Sequence, residues 1–436
     1  MGPIVLSSGG YPVITSTAFE RRDGTLFAEG VSTAAIADAV GTPTYVYSAG
    51  TIRTRYRRLA KAFHGVPHRI HFAMKSNANL SILRLLRGLG AGVDIVSGGE
   101  LFRAREAGFA GRDVVFSGVG KTQREIEEAL DADVALLNVE SEAELRLIDA
   151  VAAQRGAIAP IAFRLNPEVA VATPHEYIKT GEKGNKFGLS RDEIDRLLRV
   201  LTYLPNVSLR GIGMHLGSQI QDADALRSAL PVLVDAIGAA RTAGHPIEHM
   251  DVGGGLAVPY ATGEPEADVE GYAQLVTATA SSLGVQLLLE PGRFLVAEAG
   301  VLLTRVVYRK ESAGTAFLVT DAGMNDLIRP SLYHAHHEIE AVQSVDRHVV
   351  ADVVGPICES GDFFAKRREV ADVAQGDLLA IRTAGAYGYT MASHYNARPR
   401  PVEVLVDGDQ FAVIAEREQY EDLVRLERAA LTWRSV

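Results

Sequence analysis

A chain of 436 residues, 47% hydrophobic and 22% charged, is long enough to bury a large core in two or three domains. Its formal net charge of −10 and isoelectric point near 5.7 argue against a nucleic-acid surface, which needs clustered Lys and Arg. The single cysteine, Cys358, excludes an intrachain disulfide framework and points to a reducing compartment, the cytoplasm.

The N-terminal stretch Met1 to Thr17 lacks a basic region followed by an apolar run, so no signal peptide is expected. Helical spacing over Ser32 to Val40 and Thr51 to Phe63 flanks a strand-like Thr44-Tyr45-Val46-Tyr47. From Arg69 onward, β-rich runs at 69–74, 91–97, 113–118, 134–139, 161–166, 208–216, 249–255 and 285–290 alternate with amphipathic segments such as Leu80 to Leu89, Gln123 to Leu130 and Ala225 to Ala240. Eight such units of similar size predict a (β/α)8 TIM barrel rather than an open doubly wound sheet. Phe294 to Val307 is apolar but interrupted by Glu298 and Arg305, so it is not read as a membrane span.

Beyond about Gly300 helix periodicity fades. The runs Val301 to Tyr308, Thr315 to Thr320, Glu338 to Val342, His348 to Val354, Asp377 to Arg382, Pro401 to Val406 and Gln410 to Ala415 predict a mostly antiparallel C-terminal β-barrel domain. The expected division is 1–45 as an extension contributing to the β domain, 46–299 as the α/β barrel and 300–436 as the β-barrel domain.

The chemistry is expected where barrel strands end. Arg69-Ile70-His71-Phe72-Ala73-Met74 stops abruptly at Lys75, and burial there disfavours the ammonium and lowers its pKa, as an amine needs before it attacks an aldehyde. A Schiff-base lysine holding pyridoxal phosphate is the working reading. In isolation the segment fits a lysine capping a core strand and reaching back to water.

The other strand ends carry Asp94 with Ser97, Arg164 with Asn166, His215 with Gly217 and Ser218, Gly253-Gly254-Gly255, and Glu290-Pro291-Gly292-Arg293. Glycines let backbone amides approach an anion. A carboxylate leaving a buried strand, as Glu290 does, needs a partner: a protonated ring nitrogen, or Arg293 in its own turn. The His334-x-His336-His337 tract lacks a completing ligand set, so no metal is expected.

In this order and spacing, HFAMKSNAN, SGGE, SGVGKT, RLNP, TGEKGNKFGL, HLGSQ, DVGGGL, EPGR, RPSLYHAHHEI, GPICESGD and GAYGYTMASHYNARPRPVEVLVDG resemble the diaminopimelate decarboxylases. These are fold-type III pyridoxal-phosphate enzymes of the alanine racemase and ornithine decarboxylase superfamily, and the resemblance runs from about Gly10 to Arg428. It implies pyridoxal 5'-phosphate as cofactor, carried by Lys75, with Asp94 beside it, Glu290 on the pyridine nitrogen and His215 stacked on the ring. Ser218, Gly255, Gly292, Arg293 and Tyr387 would hold the phosphate. Arg293, Arg329, Tyr333, Glu359 and Tyr387 would bind the far end of an amino-acid substrate, and Cys358 would be the proton donor.

The resemblance also implies a homodimer with shared active sites, the Cys358 loop reaching the other subunit's barrel. Ala257, Pro259, Leu216 and His394 depart from the family's usual residues, and none removes a catalytic group. Sister decarboxylases of carboxynorspermidine, ornithine or arginine, an amino-acid racemase and a catalytically silent regulatory relative are the alternatives. The retained Lys75 and Cys358 weigh against the last. The glycines and charges of the Gly181 to Lys186 loop read as a lid.

Overall fold

The computed structural model describes residues 18–169, 184, 186–220, 224–429 and 431–434. Most of the Gly181 to Lys186 loop lies outside them.

Eight parallel strands close into a barrel: His68–Ala73, Gly92–Ile95, Val114–Phe116, Leu136–Val139, Ala159–Leu165, Val207–Met214, His249–Asp251 and Gln286–Leu289. Closure is made where Leu289 registers with Ile70. Alternation along each strand separates two environments. Ile70 and Phe72 join the large core beneath the helices, while Val115, Leu136, Ala162 and Leu288 pack on one another as a small cluster of their own.

Side-chain caps fix where several of the helices begin after their strands. Asn79 accepts from the Ser81 amide and starts Leu80–Gly88, whose Ile82, Leu83 and Leu86 are buried. Ser97 does the same for Gly98–Glu106, and Thr122 with Glu125 forms a capping box at Gln123–Asp131. The strand-to-helix turns therefore hold their geometry at the rim where polar residues gather.

The second unit is a nine-stranded, mostly antiparallel sheet. Its path runs Phe363–Ala371, His348–Val354, Thr315–Thr320, Gly300–Ser312, Thr44–Ser48, Val402–Asp407 and Gln410–Ala415, with Leu378–Ile381 and Ile339–Ala341 branching from Gly300–Ser312. This is the mostly antiparallel C-terminal domain expected from the sequence. Thr315–Thr320 with His348–Val354, and Thr44–Ser48 with Val402–Asp407, are parallel pairs. Thr44–Ser48 is hydrogen-bonded on both sides within this sheet, so a division at residue 45 falls inside a strand.

Phe19–Arg22, Thr25–Ala28 and Val31–Ser32 form a separate three-stranded sheet. It docks on the larger one through the Leu26 amide, which donates to the Val342 carbonyl at 2.8 Å, and through Arg21, which bonds Glu340 at 2.8 Å.

The turn after Lys75 is where barrel and sheet are tied together. The Tyr387 amide donates to the Ser76 carbonyl at 2.8 Å, and Asn77 Nδ2 donates to the Gly385 carbonyl at 3.1 Å. Asn79 Nδ2 donates to buried Glu403 at 2.8 Å. Among the described residues no helix is long and apolar enough to cross a membrane.

Candidate active site

Strand His68–Ala73 hands the chain to a short 3-10 turn, Met74–Ser76, which puts Lys75 inside the barrel mouth. The Lys75 side chain, 36% exposed, enters a cavity of about 170 Å³ lined also by Ser117, Asn138, Arg164, His215, Asp251 and Glu290. Its Nζ donates to Asp94 Oδ2 at 2.6 Å, and Asp94 is fully buried. Burial alone would lower the Lys75 pKa, as expected from sequence. Asp94 and Glu290 outweigh it and hold the ammonium above its ordinary range. The expected direction is thus reversed, because barrel closure brings two carboxylates to one amine.

Three buried carboxyl groups, Asp94, Asp251 and Glu290, cluster here, and the last two line the cavity floor. Burial pushes Asp251 up to about 6, although the Gly253 amide donates to its Oδ1 at 2.7 Å. Glu290 is raised well above the carboxylate range by burial, then by Asp251 and Asp94. Asp251 and Glu290 are hydrogen-bonded to each other, an arrangement that needs one proton between them. Arg293 does not neutralise Glu290, since its hydrogen bonds go to Ser218 and Tyr260. A cation arriving above the floor would relieve this pair.

His215 forms one wall. Its Nδ1 accepts from the Gly254 amide at 3.3 Å, and burial, then Arg164 and Lys75, drives its pKa well below the ordinary value. It is a neutral, flat ring.

Backbone approaches closely beside this ring. A Cβ on Gly254 would lie 2.3 Å from the Glu290 carbonyl oxygen, and one on Gly255, whose φ is +89°, 2.4 Å from the Gly217 carbonyl. A Cβ on Gly292 would meet Ser76 Oγ at 2.9 Å. Arg293 Nε and Nη2 lie 3.2 and 3.1 Å from Ser218 Oγ, and its guanidinium sits 4.8 Å over the Tyr387 ring. Side-chain-free backbone, a hydroxyl and a buried guanidinium are the donor set a phosphate requires.

Arg329, itself buried, opens the short helix Arg329–Tyr333 and lies 4.6 Å over the Tyr260 ring, with Tyr333 close to both arginines. Cys358 and Glu359 are not brought to this cavity within one chain. They stand exposed on a loop pinned by Asp362, which accepts from the Ile357 and Met324 amides, each at 2.6 Å. The Cys358 amide donates to Asn396 Oδ1 at 2.8 Å. His394 is engaged with Glu418 at 2.6 Å.

Residues 49–297 match the family model for the pyridoxal-binding domain of pyridoxal-dependent decarboxylases. The chain is 46% identical to the diaminopimelate decarboxylase of Pseudomonas fluorescens over 93% of this chain and 97% of that one. It is 43% identical to that of Aquifex aeolicus, covering 93% and 96%. It belongs to the diaminopimelate decarboxylase family. The crystal structure of the Helicobacter pylori diaminopimelate decarboxylase complexed with L-lysine superposes with a TM-score of 0.87 at 39% identity, covering 90% of this chain and 98% of that one. The crystal structure of the m. jannaschii diaminopimelate decarboxylase in co-complex with L-lysine gives a TM-score of 0.89 at 37% identity, covering 94% of this chain and 98% of that one.

Pyridoxal 5'-phosphate is the cofactor of this pyridoxal-dependent decarboxylase, and the residues present fit it. The proton-sharing Asp251 and Glu290 suit a pyridinium nitrogen, His215 suits a ring face, and the glycine and Arg293 side suits a phosphate. Sequence reasoning missed Asp251, Tyr260 and His337. Asp251 ends its strand as Asp94 and Glu290 end theirs, a signal available in DVGGGL, whereas the other two gain meaning only from tertiary contact.

Proposed function

We infer that the chain decarboxylates meso-2,6-diaminopimelate to L-lysine and carbon dioxide, the last step of lysine biosynthesis. The observation carrying this reading is the pair of buried guanidiniums, Arg293 and Arg329, whose hydrogen bonds among the described residues go only to neutral groups. One suits the cofactor phosphate; the second calls for another anion, and a substrate with a distal carboxylate supplies it. Ornithine-type substrates lack that group.

Bound pyridoxal phosphate supplies the electron sink for the pair left when the carbon–carboxylate bond breaks. Lys75 carries the cofactor, and Asp94 holds the Lys75 amine in place. Glu290 keeps a proton on the ring nitrogen, and Asp251 beside it takes up the proton the two share. His215, neutral, packs on the ring without adding charge. Ser218, Gly255, Gly292, Arg293 and Tyr387 orient the phosphate. Arg329, with Arg293, Tyr333 and Tyr387, fixes the distal carboxylate, and Glu359 pairs with the distal ammonium. Cys358 then donates its thiol proton to the carbon that lost carbon dioxide.

Cys358 and Glu359 perform these roles in the cavity of a second subunit. Their outward-facing loop, and the exposed Val96, Phe102 and Val119, support a homodimer with shared sites. Cytoplasmic residence accords with the free thiol.

The test is incubation of the cofactor-loaded protein with meso-diaminopimelate and, separately, ornithine, arginine and carboxynorspermidine, with carbon dioxide and the chiral amine quantified. Release of L-lysine from the first alone is expected. Turnover of another substrate in its place would move the function to a sister decarboxylase, and racemisation without carbon dioxide would reject decarboxylation.

A further inference from the structure

We propose that His337, together with Tyr260, is a positioning residue that aims the Arg329 guanidinium at the substrate's distal carboxylate and thereby sets selectivity for ligands bearing that group. The inference rests on the distal-carboxylate reading above.

His337 is fully buried, and its ring is held from both sides. Nδ1 lies 2.8 Å from the Arg382 carbonyl oxygen, which can only accept, so Nδ1 carries the proton. Nε2 therefore presents a lone pair, and Arg329 Nη1 donates to it at 2.9 Å. A backbone carbonyl, not an acid, sets the tautomer. Burial and the neighbouring Arg329 keep the ring uncharged.

Tyr260 completes the brace. Its ring packs edge-on against His337, with centroids 5.1 Å apart and planes at 83°. The same ring carries Arg329 on its face, and its hydroxyl accepts from Arg293 Nη1 at 2.5 Å. Two guanidiniums are thus spaced by one aromatic ring and oriented by neutral acceptors. A carboxylate at 337 would orient Arg329 equally well, but it would also cancel the charge that an incoming carboxylate needs. A neutral imidazole uses one N–H of Arg329 and leaves its full charge for the ligand. Arg329 Nε, buried without a hydrogen-bond partner among the described residues, remains an available donor.

The experiment compares L-lysine with 1,5-diaminopentane, the same chain without the carboxylate, binding to cofactor-loaded wild type, His337→Phe and His337→Gln by calorimetry. Phenylalanine keeps the ring packing and removes both hydrogen bonds, whereas glutamine restores an acceptor near the Nε2 position. Wild type is expected to prefer L-lysine. His337→Phe should weaken L-lysine roughly 10- to 100-fold, the loss of one charge-assisted contact. It should leave the diamine within about twofold and the cofactor's visible absorption unchanged, and His337→Gln should recover most of the lysine affinity. The KM for meso-diaminopimelate should rise with the loss of lysine binding while kcat holds. Wild-type-like preference in His337→Phe, or equal loss of both ligands and of cofactor, would overturn this role while leaving the substrate reading standing. Equal binding of the two ligands by wild type would overturn the distal-carboxylate reading and this inference with it.

Discussion

His71 lies in the first barrel strand, 1% exposed, its ring packed so tightly against Gly92 that a Cβ there would come within 2.5 Å of Cδ2. Burial, helped by the charges of Arg69 and His249 and opposed by Asp113, lowers its pKa from 6.5 to about 3. The folded state therefore binds fewer protons than the unfolded chain. The neutral ring is tolerated in full above pH 6.5, and stability drains away as the pH falls from there towards 3. At pH 4.5, about two units below the unfolded value, the penalty is about 2–3 kcal/mol, and at pH 7.5 it is negligible. His71→Leu removes the titrating group. Urea unfolding of wild type and variant at pH 7.5 and 4.5 reads the effect as a difference of differences, in which His215, His337 and the buried carboxyls cancel. The variant should lose about 2–3 kcal/mol less than wild type on acidification, whatever fixed offset its altered packing introduces. An offset identical at both pH values would refute the reasoning.

Glu403→Ala would strand the buried Tyr47 hydroxyl, which donates to it at 2.7 Å, and leave Asn79 Nδ2, which donates to it at 2.8 Å, with only its 3.3 Å bond to the Ile414 carbonyl. A loss of about 2–4 kcal/mol is expected in thermal unfolding, together with weaker cofactor retention, because Asn79 caps the helix that follows the Lys75 turn. Gly254→Ala forces a Cβ into the Glu290 carbonyl and should cost about 1–3 kcal/mol and more than tenfold in cofactor affinity, measured by equilibrium dialysis. Gly238→Ala, a helix position with nothing within 4 Å, is the control and should stabilise by about 0.5–1 kcal/mol. Mixing inactive Lys75→Ala with inactive Cys358→Ala should restore roughly a quarter of wild-type carbon dioxide release if sites are shared across a twofold dimer. No recovery in verified mixed dimers would place both groups in one subunit's site.

The barrel was legible because each strand is a short apolar run closed by a polar or glycine residue and followed by an amphipathic helix. The second sheet was read less completely. Phe363–Ala371 went unrecognised because Lys366, Arg367, Arg368 and Glu369 break its apolar pattern, as befits an edge strand with one solvated flank. The N-terminal meander was seen only as an extension: its strands span four residues or fewer, and its turns depend on Asp23, Gly24 and Glu29 adopting positive φ.

At the site, Lys75, Asp94 and Glu290 announced themselves as charges at the ends of buried strands. What residue types alone could not convey was their sum. Lys75 was read through its own burial, and the carboxylates that reverse its pKa come from strands 19 and 215 residues away in the chain. His337 sat within a noticed histidine tract, yet its contact with Arg329 and the Arg382 carbonyl required the fold.

Lys75 as the cofactor-bearing residue is tested most directly by borohydride reduction of the cofactor-loaded protein, followed by proteolysis and mass spectrometry. A reduced pyridoxyl-phosphate adduct on the peptide containing Lys75, with parallel loss of carbon dioxide release from meso-diaminopimelate, is the predicted result. An adduct on another lysine, or none while decarboxylation continues, would contradict it.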